Sequence, residues 1–136
     1  MKYPKLTIKG QAKPKGSVVP FYTKGGLRVR PSSKYTSEWM KLAKKEIKRL
    51  WKGPLITGPI ELDITFLLSK PKTTTRKFAT GRFDGDGDKL DRAGWDAMTG
   101  TVYVDDSQVV KWAVFKGYAE DCKPRVIIIV RDYEGA

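Results

Sequence analysis

The clearest pattern lies at Ile60, Leu62, Ile64, Phe66 and Leu68, which alternate with Glu61, Asp63 and Thr65. A period of two predicts a half-buried strand. A period near 3.6 replaces it between Ser37 and Trp51, where Trp39, Leu42, Ala43, Ile47, Leu50 and Trp51 recur on one helical face. Ser37 is the expected N-cap, and Gly53-Pro54 stops that helix. The opposite face carries Lys41, Lys44, Lys45, Lys48, Arg49 and Lys52 and reads most simply as a solvated face. Leu6 and Ile8 alternate with basic residues in a short first strand. Residues 10–33 form a Gly-, Pro- and Lys-rich basic loop, read as a loose hairpin about Gly25-Gly26.

Further along, residues 69–85 make a polar, basic loop. A helix is expected from about Asp88 to Thr99, with Leu90, Ala93, Gly94, Ala97 and Met98 inward and Gly100 as its stop. Val102-Tyr103-Val104 predicts a short strand, Asp105-Asp106-Ser107 a turn, and Val109 to Phe115 another strand. The β-branched run Val126 to Val130 predicts a strand buried on both faces or at a dimer contact. Strands and two main helices interleave without a βαβ period, so the expected class is α+β: one small mixed sheet in a single domain spanning residues 1–136.

Composition narrows the chemistry. The chain has no histidine, which excludes Ser-His-Asp and Cys-His catalysis, HExxH zinc sites and nucleases built on a histidine base. Cys122 is the single cysteine, so no internal disulfide can form and a reducing compartment is expected. Neither a signal-peptide pattern nor an apolar run of roughly 18 residues is present, so no membrane partner is expected. With 27 Lys and Arg against 15 acids, the net charge is +12, and such a chain seeks polyanions, nucleic acid first.

That charge is uneven. Residues 1–57 hold 15 basic residues against Glu38 and Glu46, a net of +13. Residues 84–106 reverse the sign, with Asp84, Asp86, Asp88, Asp91, Asp96, Asp105 and Asp106 against Lys89 and Arg92, a net of −5. Clustered carboxylates repel unless a cation joins them, so the group reads either as solvated loop acids or as a divalent-metal site on a polyanion-binding body. Asp86 and Asp88 can reach one ion from an extended segment, and a helix out with a strand back would bring the Asp105-Asp106 turn beside them. Two-metal phosphodiester cleavage needs such carboxylates around Mg²⁺ or Mn²⁺. An EF-hand is excluded, because Lys89 and Trp95 stand where that loop needs Gly and Glu. No Walker A string occurs.

Three stretches, Asp86-Gly87-Asp88-Lys89-Leu90-Asp91-Arg92, Trp95-Asp96-Ala97-Met98-Thr99-Gly100 and Val104-Asp105-Asp106-Ser107-Gln108-Val109-Val110, together resemble the signature of RusA-type Holliday junction resolvases. In that family Asp-x-Asp-Asn opens a helix, Lys follows one turn later, Leu-Asp-Ala-Leu continues it, and Asp-Asp-x-Gln closes the motif. Lys13-Pro14-Lys15-Gly16-Ser17 and Arg30-Pro31-Ser32-Ser33-Lys34 extend the resemblance upstream.

The resemblance implies a homodimeric, Mg²⁺- or Mn²⁺-dependent endodeoxyribonuclease that resolves four-way DNA junctions, with no small-molecule cofactor. The expected setting is the cytoplasm of a bacterial or phage-infected cell. Asp86, Asp88 and Asp106 match the metal-binding aspartates. Lys89 replaces the usual Asn, and Arg92 stands where the family has its catalytic Lys. Arg keeps a permanent cation but cannot donate a proton. Asp84 opens an upstream register in which Asp84 and Asp86 would be the ligands, and Asp96 reads as a helix residue that orients a neighbour. Lys13, Lys15, Lys24, Arg28, Arg30, Lys70, Lys72, Arg76, Lys77 and Lys111 are the expected DNA-backbone contacts, with Phe78 or Phe83 as a wedge between bases. The four tryptophans, Trp39, Trp51, Trp95 and Trp112, read as core or dimer residues, and Gln108 either orders its turn or touches a metal-bound water. The alternative is a non-catalytic basic DNA-binding module whose aspartates are structural.

Overall fold

The computed structural model describes residues 3–12, 18–31, 34–81 and 84–135. Its elements follow the chain as β1 (Leu6–Lys9), β2 (Val18–Thr23), β3 (Gly26–Pro31), α1 (Lys34–Leu50), β4 (Ile60–Leu68), α2 (Gly87–Met98), β5 (Val109–Tyr118) and β6 (Arg125–Asp132). A four-stranded mixed sheet runs in the order β1-β6-β4-β5, and β2 pairs with β3 as a separate antiparallel hairpin. The class is α+β in one domain, as the pattern of elements predicts.

β4 sits inside the sheet, antiparallel to β6 and parallel to β5. Its even-numbered residues Ile60 to Leu68 are fully buried, while Glu61, Asp63, Thr65 and Leu67 are half-buried on the opposite face. α2 lies against the buried face. Gly94 brings its backbone close to the sheet, where an added Cβ would meet Ile64 and Phe66 at 3.7 Å. α1 packs on α2 and β1 and buries Trp39, Ala43 and Ile47, one residue per turn.

The structure differs from the sequence expectations in four places. α1 begins at Lys34, so Ser37 lies within the helix rather than capping it. Val102-Tyr103-Val104 is not a strand: Tyr103 alone forms isolated bridges, to Ile56 and Thr99. β6 buries Val126, Ile128 and Val130 and leaves Ile127 and Ile129 half-buried, so its β-branched run is covered on one face only. Of the two places expected for Trp112, core or dimer contact, the core is ruled out: it is 53% exposed on the edge strand β5, where it meets Trp95 edge to face. Trp39 and Trp51 are buried as expected.

Gly94 supplies a test of the helix-to-sheet spacing. An alanine there meets ordinary contact distances and removes a helix-interior glycine, so Gly94→Ala should hold or raise stability by up to about 1 kcal/mol. Gly94→Leu would push α2 off β4 and should cost roughly 1–3 kcal/mol. Urea denaturation of both variants measures the difference, and equal midpoints would mean that α2 does not lie this close to the sheet.

Candidate active site

Parallel strands need a crossover, and here residues 69–108, including α2, supply it. The crossover leaves the sheet at the carboxyl end of β4 and passes that of β5, where ligands commonly bind in parallel sheets. Two side chains of β5 hold it there. Tyr118 donates its hydroxyl to Asp84 Oδ2 at 2.6 Å, and the same oxygen accepts the Gly81 N–H at 2.7 Å. Lys116 Nζ donates to the Gly85 carbonyl at 2.7 Å. Gly85 has φ of 90°, a left-handed conformation that favours glycine, and the chain turns there into the helix. Asp84 is buried and committed to this loop, so its carboxylate is a structural fastener.

Asp86 follows as the N-cap of α2, with extended backbone and no capping bond from its side chain. Its carboxylate is 71% exposed and faces Lys89 Nζ at 3.6 Å. Asp88 lies in the first helical turn, exposed, and Arg92 is exposed one turn later. Among the described residues, no hydrogen bond or ion pair holds the side chains of Asp88, Arg92 or Asp106. One ion-paired and one unpaired carboxylate thus stand exposed at a helix N-terminus, with a cation one turn along.

Asp106 opens a one-turn 3-10 helix, Asp106–Gln108, that leads into β5. Gln108 fixes this turn. Its Oε1 accepts from Val104 and Asp105 N–H, both at 2.9 Å, and its Nε2 donates to the Ile56 and Gly58 carbonyls at 2.8 and 2.9 Å. Gln108 therefore orders the turn, and Asp105 is engaged by Ser107 Oγ at 2.6 Å, which leaves Asp106 as the uncommitted acid. The two acid-bearing segments are fastened at different ends of β5: Asp84 and Gly85 by Tyr118 and Lys116, Asp106 beside Val109. Among the described residues, no three carboxylate, histidine or cysteine groups come together as a ready metal cage. The donor chemistry nonetheless fits Mg²⁺ or Mn²⁺. Hard carboxylate oxygens are present, and Mg²⁺ commonly takes only one or two of them and completes its shell with water and substrate phosphate.

Sequence reasoning passed over Asp91. It is 8% exposed, and neither its Oδ1 nor the buried Nε1 of Trp95, one turn later, has a hydrogen-bond partner. Burial pushes its carboxyl up to about 6, partly offset by the nearby Trp95 indole. The signal lies in spacing, since Asp91 adjoins the buried stripe Leu90, Ala93, Gly94, Ala97. Tyr103 is buried behind this group and donates its hydroxyl to the Trp95 carbonyl at 2.6 Å. Burial and the negative charges of Asp106, Asp96 and Asp91 hold its phenol proton far more tightly than usual.

The expected DNA contacts divide. Lys13, Lys15 and Phe83 lie outside the described residues. Arg28 and Arg30 lie on β3, and Lys24 is exposed at the turn that joins β2 to β3. Lys70, Lys72, Arg76 and Lys77 are exposed on the loop that leads to Asp84. Phe78 is 60% exposed there, under the Lys77 ammonium at 5.7 Å, which suits a wedge beside the acids. Lys111 is spoken for, 3.5 Å from Glu61 on the other sheet face.

Asp91 yields a pH test. Between its ordinary pKa of 3.8 and about 6, the native state keeps the proton that the unfolded chain releases. Stability should therefore fall as pH rises through that window. Asp91→Asn mimics the neutral acid, so it should match the parent near pH 4 and exceed it by roughly 3 kcal/mol above pH 7. Thermal melts in EDTA across pH 4–8 check this, and a gap that does not change with pH would refute it.

Comparison with known proteins identifies the family. Over 94% of the chain and 95% of the relative, the sequence is 28% identical to the uncharacterized protein YqaN of Bacillus subtilis (strain 168). Residues 11–131, which take in α1, both fastened acid segments and the sheet strands β4, β5 and β6 up to Arg131, match the endodeoxyribonuclease RusA family. The chain, with no histidine, a basic body and exposed aspartates at the head of a crossover helix, belongs to the RusA endodeoxyribonuclease family.

Proposed function

We propose that this endodeoxyribonuclease is Mg²⁺- or Mn²⁺-dependent and structure-selective, and that it resolves four-way DNA junctions by paired phosphodiester hydrolysis. The observation that carries the reading is the exposed Asp86/Asp88 pair, presented at the carboxyl ends of β4 and β5 by a buried fastening that uses neither residue. Asp86 and Asp88, two apart in sequence, would be two of the ligands, and Asp106, held at the other end of β5, would be the third. When bound, the ions would activate water and stabilise the leaving oxygen.

The remaining roles follow from the chain's own side chains. Arg92, a permanent cation one turn past Asp88, meets the charge that develops on the scissile phosphate without surrendering a proton. Lys70, Lys72, Arg76 and Lys77 draw the backbone toward the acids, which would otherwise repel it. Lys89 stands in the ion pair with Asp86 and offsets part of that repulsion before a metal arrives. Lys13, Lys15, Lys24, Arg28 and Arg30 add positive charge in the N-terminal part of the sequence.

Paired cuts need two sites related by a two-fold axis, which a homodimer provides. The free edge of β5 supports this part of the reading. Val110, Trp112, Val114 and Phe115 are exposed along it, and a long apolar edge strand is a feature that soluble proteins usually cover. Among the described residues no helix is long and apolar enough to cross a membrane. DNA as substrate fits our reading of a bacterial or phage-infected cytoplasm.

Nicking of a synthetic four-way junction tests the site. Asp86→Asn, Asp88→Asn and Asp106→Asn should each lose at least about 100-fold in rate, since each removes a ligand for the ions on which both halves of the chemistry depend. Junction affinity in EDTA should stay equal or rise, because one repulsive charge is gone. Asp84→Asn keeps an oxygen that can accept from Tyr118 and Gly81, so it should retain most activity. A dead Asp84→Asn with a normal Asp88→Asn would move the ligands to the upstream register. Parent-like cutting by all four would leave a basic DNA-binding module with structural acids.

A further inference from the structure

α1 meets the far end of α2 in a groove that the catalytic reading does not use. Lys44, Lys45 and Lys48 line one side, and Ala97 with the turn Thr99-Gly100-Thr101 lines the other, around a volume of about 450 Å³. The three ammonium groups are exposed, and among the described residues none has an ion pair or a hydrogen-bonded acceptor. By contrast, Arg49 on the same helix is neutralised by Glu46 at 2.6 Å.

A helix C-terminus ordinarily disfavours an anion, because its last carbonyls carry partial negative charge. Here two of those carbonyls are occupied. Trp95 O accepts from the Thr99 N–H, the Thr99 hydroxyl and the Tyr103 hydroxyl, and Met98 O accepts from the Thr101 and Val102 N–H groups. Asp96, adjacent to Ala97 in sequence, is half-buried and already engaged. The groove therefore presents three uncompensated cations to solvent. It offers no apolar floor large enough for a protein side chain or lipid to anchor in, since Ala97 is the only apolar residue lining it.

We infer that this groove is a second binding track for the DNA backbone, which holds a duplex arm at a distance from the reacting phosphate. The spacing suits this. From Asp88 to Thr99 the axis of α2 advances roughly 16 Å at 1.5 Å per residue. That is about five nucleotide steps at the 3.4 Å rise along one strand. A duplex whose scissile phosphate lies at the head of α2 then lays a later phosphate over Lys44, Lys45 and Lys48. The contact is to charge alone, so it is independent of sequence and adds to affinity for any duplex arm. The inference rests on the endodeoxyribonuclease reading for the identity of the polyanion, and on no feature of metal binding or cleavage.

The test is binding without chemistry. A four-way junction and a plain duplex are titrated in EDTA at several salt concentrations with the full chain, with Lys44→Gln/Lys45→Gln/Lys48→Gln, and with a control, Lys5→Gln/Lys9→Gln/Lys123→Gln. The control residues are exposed on or beside β1 and β6 and do not line the groove. Each phosphate contact contributes a slope of about −0.9 in log K against log salt. Loss of three contacts should make the groove variant's slope shallower by about 2.7 on both DNAs. Over a fourfold rise in salt, the parent should lose about 40-fold more affinity than this variant. The charge-preserving Lys44→Arg/Lys45→Arg/Lys48→Arg should keep the parent slope, which separates lost contacts from lost folding. A groove variant with the parent slope, or with no larger change than the control, would overturn the inference. Failure of the parent to nick a junction in Mn²⁺ would count against the catalytic reading alone, since this assay never requires a cut.

Discussion

Parallel pairing of β4 with β5 obliges the chain between them to travel back along the sheet, and the features proposed for catalysis lie in or beside that return path. The crossover has to bury enough of α2 to stay in place, and Gly94 allows this by bringing the helix within contact of Ile64 and Phe66. It also has to enter the helix without spending the acids at its head. The buried Asp84–Tyr118 bond and the Lys116–Gly85 bond do the holding, so Asp86 and Asp88 remain unbonded to backbone or hydroxyl. The result is a division of labour within one run of aspartates: Asp84 fastens, Asp105 engages the following turn, Asp91 is buried, and Asp86, Asp88 and Asp106 are left for the metal we propose.

This division explains why a strongly basic protein tolerates seven aspartates in 23 residues. Separate carboxylates are neutralised in separate ways. Asp84 has two hydrogen-bond donors, Asp91 holds its proton to a higher pH than usual, and Asp86 faces Lys89. The remaining charge sits where a divalent cation and a phosphate would cancel it. The basic residues are likewise sorted. Lys111, Arg49 and Arg131 are held by acids, while among the described residues the loop around Lys72 and the face at Lys44 to Lys48 are not.

Much of the scaffold was legible from hydrophobic spacing because burial alternates cleanly there. β4 was readable to the residue, since its odd positions are polar except Leu67 and its even ones apolar. The start of α1 was not, because Lys34-Tyr35-Thr36 has no apolar period and Ser37 looks like a cap. Val102 to Val104 carried strand-forming side chains, yet the segment is pinned by the Tyr103 hydroxyl and by Gln108, contacts that no local pattern encodes. The same holds at the site. The motif supplied Asp86, Asp88 and Asp106, but not the role of Asp84, whose partner Tyr118 is 34 residues away. Asp91 was obscured because a polar residue beside a buried stripe reads as solvated until packing shows otherwise.

The central claim is that divalent metal binds at the head of α2, with Asp86 and Asp88 as ligands. Paramagnetic broadening of backbone amide NMR signals by substoichiometric Mn²⁺, in the absence of DNA, addresses it directly. The account predicts the strongest broadening at Gly87, Asp88 and Lys89, with weaker broadening at Asp106, and its loss in Asp86→Asn/Asp88→Asn. Broadening centred instead on Glu61 and Asp63, on Glu120 and Asp121, or spread evenly over exposed acids would contradict it.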